Sequence, residues 1–165
     1  RSTPLYSSAA SDVYKRQNFS NEDLAKIFNK VRSNFISIGY KIIIIPSMRT
    51  PKRIIDLANK EFLSDGYVVN SVDKQAYLAS LALANKIVVT CDSTSMISEA
   101  AASGKPIFVA HMHTKMNNYR FERFFHLFRE MGITRNLEEK VENWSYKHFN
   151  EAERIAPMIH SKLSN

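Results

Sequence analysis

The sequence predicts an α/β domain built on an open, mainly parallel sheet with helices on both faces, and three observations carry that expectation. Four short apolar runs, at 42–45, 67–69, 87–89 and 107–109, are separated by segments whose apolar residues recur at helical spacing. The connections are a few residues long, and such alternation specifies layered α/β architecture with right-handed crossovers. Gly39, Gly66, Gly104 and Gly132 each fall just after a helical segment, where a left-handed terminal residue is wanted.

Each element has its own justification. Ser20, with Asp23 three residues later, reads as the cap of a helix whose Leu24, Ile27, Phe28, Val31, Phe35 and Ile38 share one face and which closes at Gly39. Ile42-Ile43-Ile44-Ile45 is a continuous β-branched run, expected where a strand is covered on both faces, and Pro46 ends it. Thr50 is expected to cap a second helix with Pro51 in its first turn and Ile54, Ile55, Ala58 and Phe62 facing inward. Tyr67-Val68-Val69 makes a second strand. Tyr77, Leu78, Leu81 and Ala84 mark a third helix, Ile87-Val88-Val89 a third strand, residues 96–103 a fourth helix and Ile107-Phe108-Val109 a fourth strand. Beyond these, residues 119–131 form an amphipathic helix rich in Phe121, Phe124, Phe125, Leu127 and Phe128. A last helix over 151–163 is expected to pack back through Ile155, Met158 and Ile159, kinked or split at Pro157.

The chain has 165 residues, which is the size of one ordinary domain. With 44% hydrophobic and 24% charged residues it is globular in composition, and no apolar run approaches the roughly 18 residues of a spanning helix. Cys91 is the single cysteine, so no internal disulfide exists and a reducing, cytoplasmic setting is expected. The four glycines cannot build a G-x-G-x-x-G or a G-x-x-x-x-G-K-[ST] phosphate loop. A formal net charge of +7 invites nucleic acid, yet the Lys and Arg residues are scattered without interleaved aromatics, so no nucleic-acid partner is expected. Residues 1–17 are Ser- and Ala-rich without apolar periodicity. Asp12-Val13-Tyr14-Lys15-Arg16-Gln17 resembles the translated end of a sequencing-library transposon, so 1–17 is expected to be adapter-derived or disordered and 18–165 the domain itself.

In an open α/β sheet, ligands bind beyond the carboxyl ends of the strands. Three segments lie there: Ser47-Met48-Arg49-Thr50-Pro51, Thr90-Cys91-Asp92-Ser93-Thr94-Ser95, and His111-Met112-His113. The middle one runs three hydroxyls into a helix N-terminus, whose free N–H groups and partial positive charge suit an anion such as a diphosphate. Glu99 lies one turn deeper, where a carboxylate accepts from ribose hydroxyls in other nucleotide folds. Spacing alone equally allows Ser93 or Ser95 to be a simple N-cap and Glu99 part of a capping pair. Asp92, preceding a helix, is expected in a turn or cap. Cys91 is expected to be buried and inert, and His111 with His113 lacks a third ligand for a metal.

The stretch from Val88 through Glu99 and Gly104-Lys105-Pro106 to Val109 resembles the donor-site motif of GT-B-fold proteins. It is most similar to the mitochondrial-fission (elongated-mitochondria) family and its bacterial homologues. Pro46-Ser47-Met48-Arg49-Thr50-Pro51, Tyr77-Leu78-Ala79-Ser80-Leu81-Ala82-Leu83-Ala84, Arg120-Phe121-Glu122-Arg123-Phe124, Gly132-Ile133-Thr134-Arg135 and Trp144 carry the same resemblance. It implies the Rossmann-like C-terminal half of a GT-B fold, truncated at its N-terminus, with a glycine-containing loop and a whole preceding domain missing.

The resemblance further implies that Glu99 binds the nucleotide ribose, that Ser93, Thr94 and Ser95 line the diphosphate, and that Arg49 holds diphosphate or sugar, or merely pairs with a surface carboxylate. The ligand so implied is a nucleoside-diphosphate sugar of uridine type, with no metal or other cofactor required and no catalytic base nameable. The missing domain would hold the acceptor, so the fragment alone is expected to be inactive. The alternatives are a nucleotide-sugar epimerase-like enzyme and a non-catalytic adaptor. For the adaptor, suggested by the mitochondrial association of eukaryotic relatives, the 121–128 helix would dock a protein or membrane partner, although that aromatic stripe is more simply core.

Overall fold

A computed structural model describes residues 20–112, 119–147 and 149–163. It is an α/β fold of parallel strands with helices between them, consistent with a Rossmann-like open sheet. Helix α1 (Asn21–Asn34) starts as its sequence dictates: the Ser20 hydroxyl accepts from Asp23 N at 3.0 Å and donates to the Asp23 carboxylate at 2.7 Å. The helix does not run on to Ile38. Phe35 leaves helical φ at −119°, and a 3₁₀ turn, Ile36–Ile38, carries the chain to Gly39 at φ +93°. Tightening the last turn seats Phe35 edge-on to Phe108, with ring centres 5.4 Å apart.

Strand β1 (Ile42–Ile44) pairs in parallel with β2 (Gly66–Val68), and α2 (Lys52–Phe62) links them. Two expectations fail here. Thr50 does not cap α2; its hydroxyl accepts from Ser47 N at 2.9 Å, closing a 47–50 turn, and Pro51 takes the cap position. Gly66 is not a left-handed helix end but the first residue of β2. A Cβ there would lie 1.9 Å from the Ile42 carbonyl oxygen, so the close approach of the strands excludes any side chain. Gly39, Gly104 and Gly132 do have positive φ, as expected.

The second sheet is β3 (Ile87–Thr90), β4 (Ile107–Ala110) and β5 (Thr134–Asn136), all parallel with β4 in the centre. Helices α3 (Lys74–Leu83) and α4 (Thr94–Ala101) precede β3 and β4, and α5 (Tyr119–Glu130) precedes β5. All four β4 residues are buried, and their alternation divides the core. Ile107 and Val109 join Ile97, Ala100 and Ala101 of α4 and Phe128 of α5, while Phe108 and Ala110 join Phe35 and, from α1, Ile27 and Val31. Helices therefore cover both faces of this sheet.

The strands nevertheless form two sheets, β1-β2 and β3-β4-β5. Lys86 Nζ, ahead of β3, lies 6.0 Å from the centre of the Tyr40 ring, ahead of β1; beyond the two strands Arg49 reaches Asp92. So β1 and β3 run alongside in the same sense without sharing a ladder. Ile43 is 55% exposed, so β1 is not covered on both faces as its β-branched run suggests.

Near the C-terminus, α6 (Glu151–Leu163) passes through Pro157 as one helix and is not split. Ile155, Met158 and Ile159 are exposed rather than packed back. On α5, Phe124, Phe125 and Phe128 pack into the core, whereas Leu127 faces solvent. Among the described residues, no helix is long and apolar enough to cross a membrane.

Candidate functional site

The carboxyl ends of β1, β3 and β4 present the segments singled out by sequence, and the first two meet. In the 47–50 turn, Thr50 N donates to Ser47 O at 3.0 Å and Arg49 N to the Ser47 hydroxyl at 3.2 Å. That turn points the Arg49 guanidinium across to β3, 3.7 Å from Asp92 Oδ2. Asp92 lies in the 90–93 turn ahead of α4, as expected, where Ser93 N donates to Thr90 O at 3.4 Å, and the cap itself is Ser93. Asp92 is 6% exposed, and its other carboxylate oxygen has no hydrogen-bond partner. A carboxylate so placed is costly unless a cation or donor faces it, which gives Arg49 a local reason to stay.

The cap of α4 is Ser93, buried, whose hydroxyl accepts from Met96 N at 3.4 Å and lies 3.3 Å from the Ser95 hydroxyl. Thr94 is half-buried and Ser95 exposed at the helix start. The N–H groups of this first turn have no intrahelical acceptors, and the helix dipole adds partial positive charge at that spot. Glu99 follows Ser95 by four residues, about 6 Å along the axis. It is exposed, and its Oε2 accepts from the Tyr77 hydroxyl at 2.9 Å. Burial, the hydrogen bond to Glu99 and the carboxylate's charge, in that order, push the Tyr77 phenol well above its ordinary range.

Sequence reasoning placed Ser93, Thr94, Ser95, Glu99 and Arg49 at one edge of the domain, and the structure brings Arg49 to the residue that precedes the α4 cap. It missed two partners: Asp92 as the seat of Arg49, and Tyr77 as the donor to Glu99. Neither leaves a local signal, because each contact joins residues on different crossovers.

The remaining candidates do less. Cys91 is buried, and burial raises its thiol further from reactivity. His111, past β4, is exposed, with Nε2 3.1 Å from Asn136 Oδ1 and its ring edge-on to Phe125. His113 lies outside the described residues. No group of three or more His, Cys, Asp or Glu able to hold a metal occurs among the described residues.

Comparison with known proteins adds a family. A profile described as mitochondrial fission ELM1 matches residues 13–163. The chain is 32% identical over 149 residues to the mitochondrial fission protein ELM1 of Arabidopsis thaliana, an alignment covering 86% of this chain and 34% of that protein. An uncharacterized protein of Rickettsia prowazekii is 34% identical over 161 residues, covering 88% of this chain and 43% of its own length. The chain thus spans less than half the length of these relatives. No solved structure matches it significantly.

Proposed function

The chain belongs to the mitochondrial fission ELM1 family, and on that premise we propose that it is the nucleotide-binding domain of a GT-B glycosyltransferase-like protein. Its ligand is a nucleoside-diphosphate sugar of uridine type. The observation that carries this reading is the arrangement around the start of α4: the Thr94 and Ser95 N–H groups, the Ser93, Thr94 and Ser95 hydroxyls, and the Arg49 guanidinium on Asp92 just before the cap, with the Glu99 carboxylate one turn on.

The chemistry follows from where charge develops. Breaking the anomeric bond leaves negative charge on the departing diphosphate. Donors already aimed at that position stabilise the transition state more than the neutral-linked ground state. In this reading the helix N–H groups and hydroxyls meet the diphosphate, Arg49 turns a positive face to it while still neutralising Asp92, and Glu99 accepts from the ribose. The acceptor and the base that activates it belong to the rest of the longer protein, so this chain binds the donor without turning it over. The adaptor alternative loses most of its docking stripe, since Phe124, Phe125 and Phe128 pack into the core.

Calorimetric titration of UDP tests the proposal. The native chain binds, and Glu99→Ala weakens binding at least about tenfold, the equivalent of a charged hydrogen bond of ~1.5–3 kcal/mol. A folded native chain that takes up no UDP at millimolar concentration overturns it.

A further inference from the structure

We propose that Tyr77 is a positioning residue of the nucleotide site, holding the Glu99 carboxylate so that it accepts from the paired hydroxyls of a ribose and discriminates against a deoxyribose. The inference rests on the nucleotide reading above and adds a residue and a specificity to it.

Several placements make the Tyr77 hydroxyl a fixed donor. Asp73 caps α3 by accepting from Gln75 N at 2.9 Å and Ala76 N at 3.0 Å, and Tyr77 N donates to Asp73 O at 3.0 Å. This locks the turn that carries Tyr77. The opposite end of α3 is held by Lys105, whose ammonium donates to the Leu81 carbonyl at 2.8 Å and to that of Ala82. Glu99 sits on a helix that cannot roll, because Ile97, Ala100 and Ala101 on its inner face are fully buried. The phenol ring is half-buried between these two helices, and its hydroxyl lies 2.9 Å from Glu99 Oε2.

The chemistry suits a diol. A free glutamate on an exposed helix face samples many rotamers, and a ligand that needs one of them must pay the ordering entropy. Tyr77 removes part of that cost with a single O–H. An ionised carboxylate has about four acceptor positions, so one neutral donor leaves the others for a pair of vicinal hydroxyls. A lysine or arginine in the same place would cancel the charge that makes Glu99 a strong acceptor; a phenol does not. The raised phenol keeps its proton through the neutral range, so the donor is present there.

Calorimetric affinities for UDP and 2′-deoxy-UDP, measured on the native chain, Tyr77→Phe, Glu99→Gln and Glu99→Ala, test the assignment. The native chain is expected to prefer UDP about tenfold. Tyr77→Phe weakens UDP roughly two- to tenfold while leaving 2′-deoxy-UDP nearly unchanged, and Glu99→Gln and Glu99→Ala remove most of the preference. Three results overturn it. An unchanged ribose preference in Tyr77→Phe, alongside its loss in Glu99→Ala, sinks the role of Tyr77 and leaves the nucleotide site standing. Equal weakening of both ligands makes the contact a mere tie between helices. Absence of UDP binding by the native chain removes the site and this inference together.

Discussion

Arg49 and Asp92 show how burial can make a loosely spaced ion pair matter to stability. Asp92 is almost wholly buried with one oxygen unpartnered, while the Arg49 side chain remains about a third exposed at 3.7 Å. Solvent screens the pair, so its Coulomb energy is modest; the larger effect is what remains when one member is removed. Arg49→Ala leaves a buried carboxylate with neither cation nor donor and is expected to destabilise the chain by ~1–2 kcal/mol in urea unfolding. Adding Asp92→Ala to that variant should restore most of the loss. A double mutant as unstable as the sum of the singles would show that the residues are uncoupled. At this scale the sequence was legible where chemistry is local. The Ser20–Asp23 cap and the burial of Cys91 follow from nearest neighbours and strand pattern. The Arg49–Asp92 and Tyr77–Glu99 contacts do not, because no periodicity links residues on separate crossovers.

Helices and strands were legible to the extent that they carry apolar pattern. The four apolar runs became β1 to β4, and the fifth strand escaped because Thr134-Arg135-Asn136 is polar, with Thr134 alone buried. Gly66 was misread because a glycine after a helix fits a left-handed end as well as the start of a tightly packed strand. Only the neighbouring Ile42 carbonyl decides between them. The far end of α4 is held by a residue from beyond β5. The Tyr146 hydroxyl lies 3.1 Å from Ala101 O and 2.9 Å from Lys105 O, sharing one proton between two carbonyls. Burial pushes this phenol up to about 12. The sign is definite: a folded-state value above the unfolded one means the native form holds the proton more tightly, so the stabilisation is complete below about pH 10 and is lost as pH rises toward 12. Stability measured from pH 8 to 12 should fall at the alkaline end, and Tyr146→Phe should flatten that fall. An identical slope in the variant would assign the loss to other groups.

At the scale of the whole molecule, the strand ends gather the polar side chains of the proposed site. Helices pack on both faces of the β3-β4-β5 sheet, and β1 and β3 run in the same sense, which brings Arg49, Asp92 and Ser93 to one edge. The α/β class was legible from alternation alone. The division into two sheets was not, since apolar runs identify strands without saying which neighbours share hydrogen bonds. The most direct test of the proposed nucleotide site is to follow backbone amide resonances of the chain while UDP is added. The predicted result is shifts concentrated at 93–99 and 47–50, saturating with ligand and much weaker with uridine, which lacks the diphosphate. Shifts centred instead on the exposed Arg123 and Leu127 face of α5, or none from a folded chain at millimolar UDP, would contradict it.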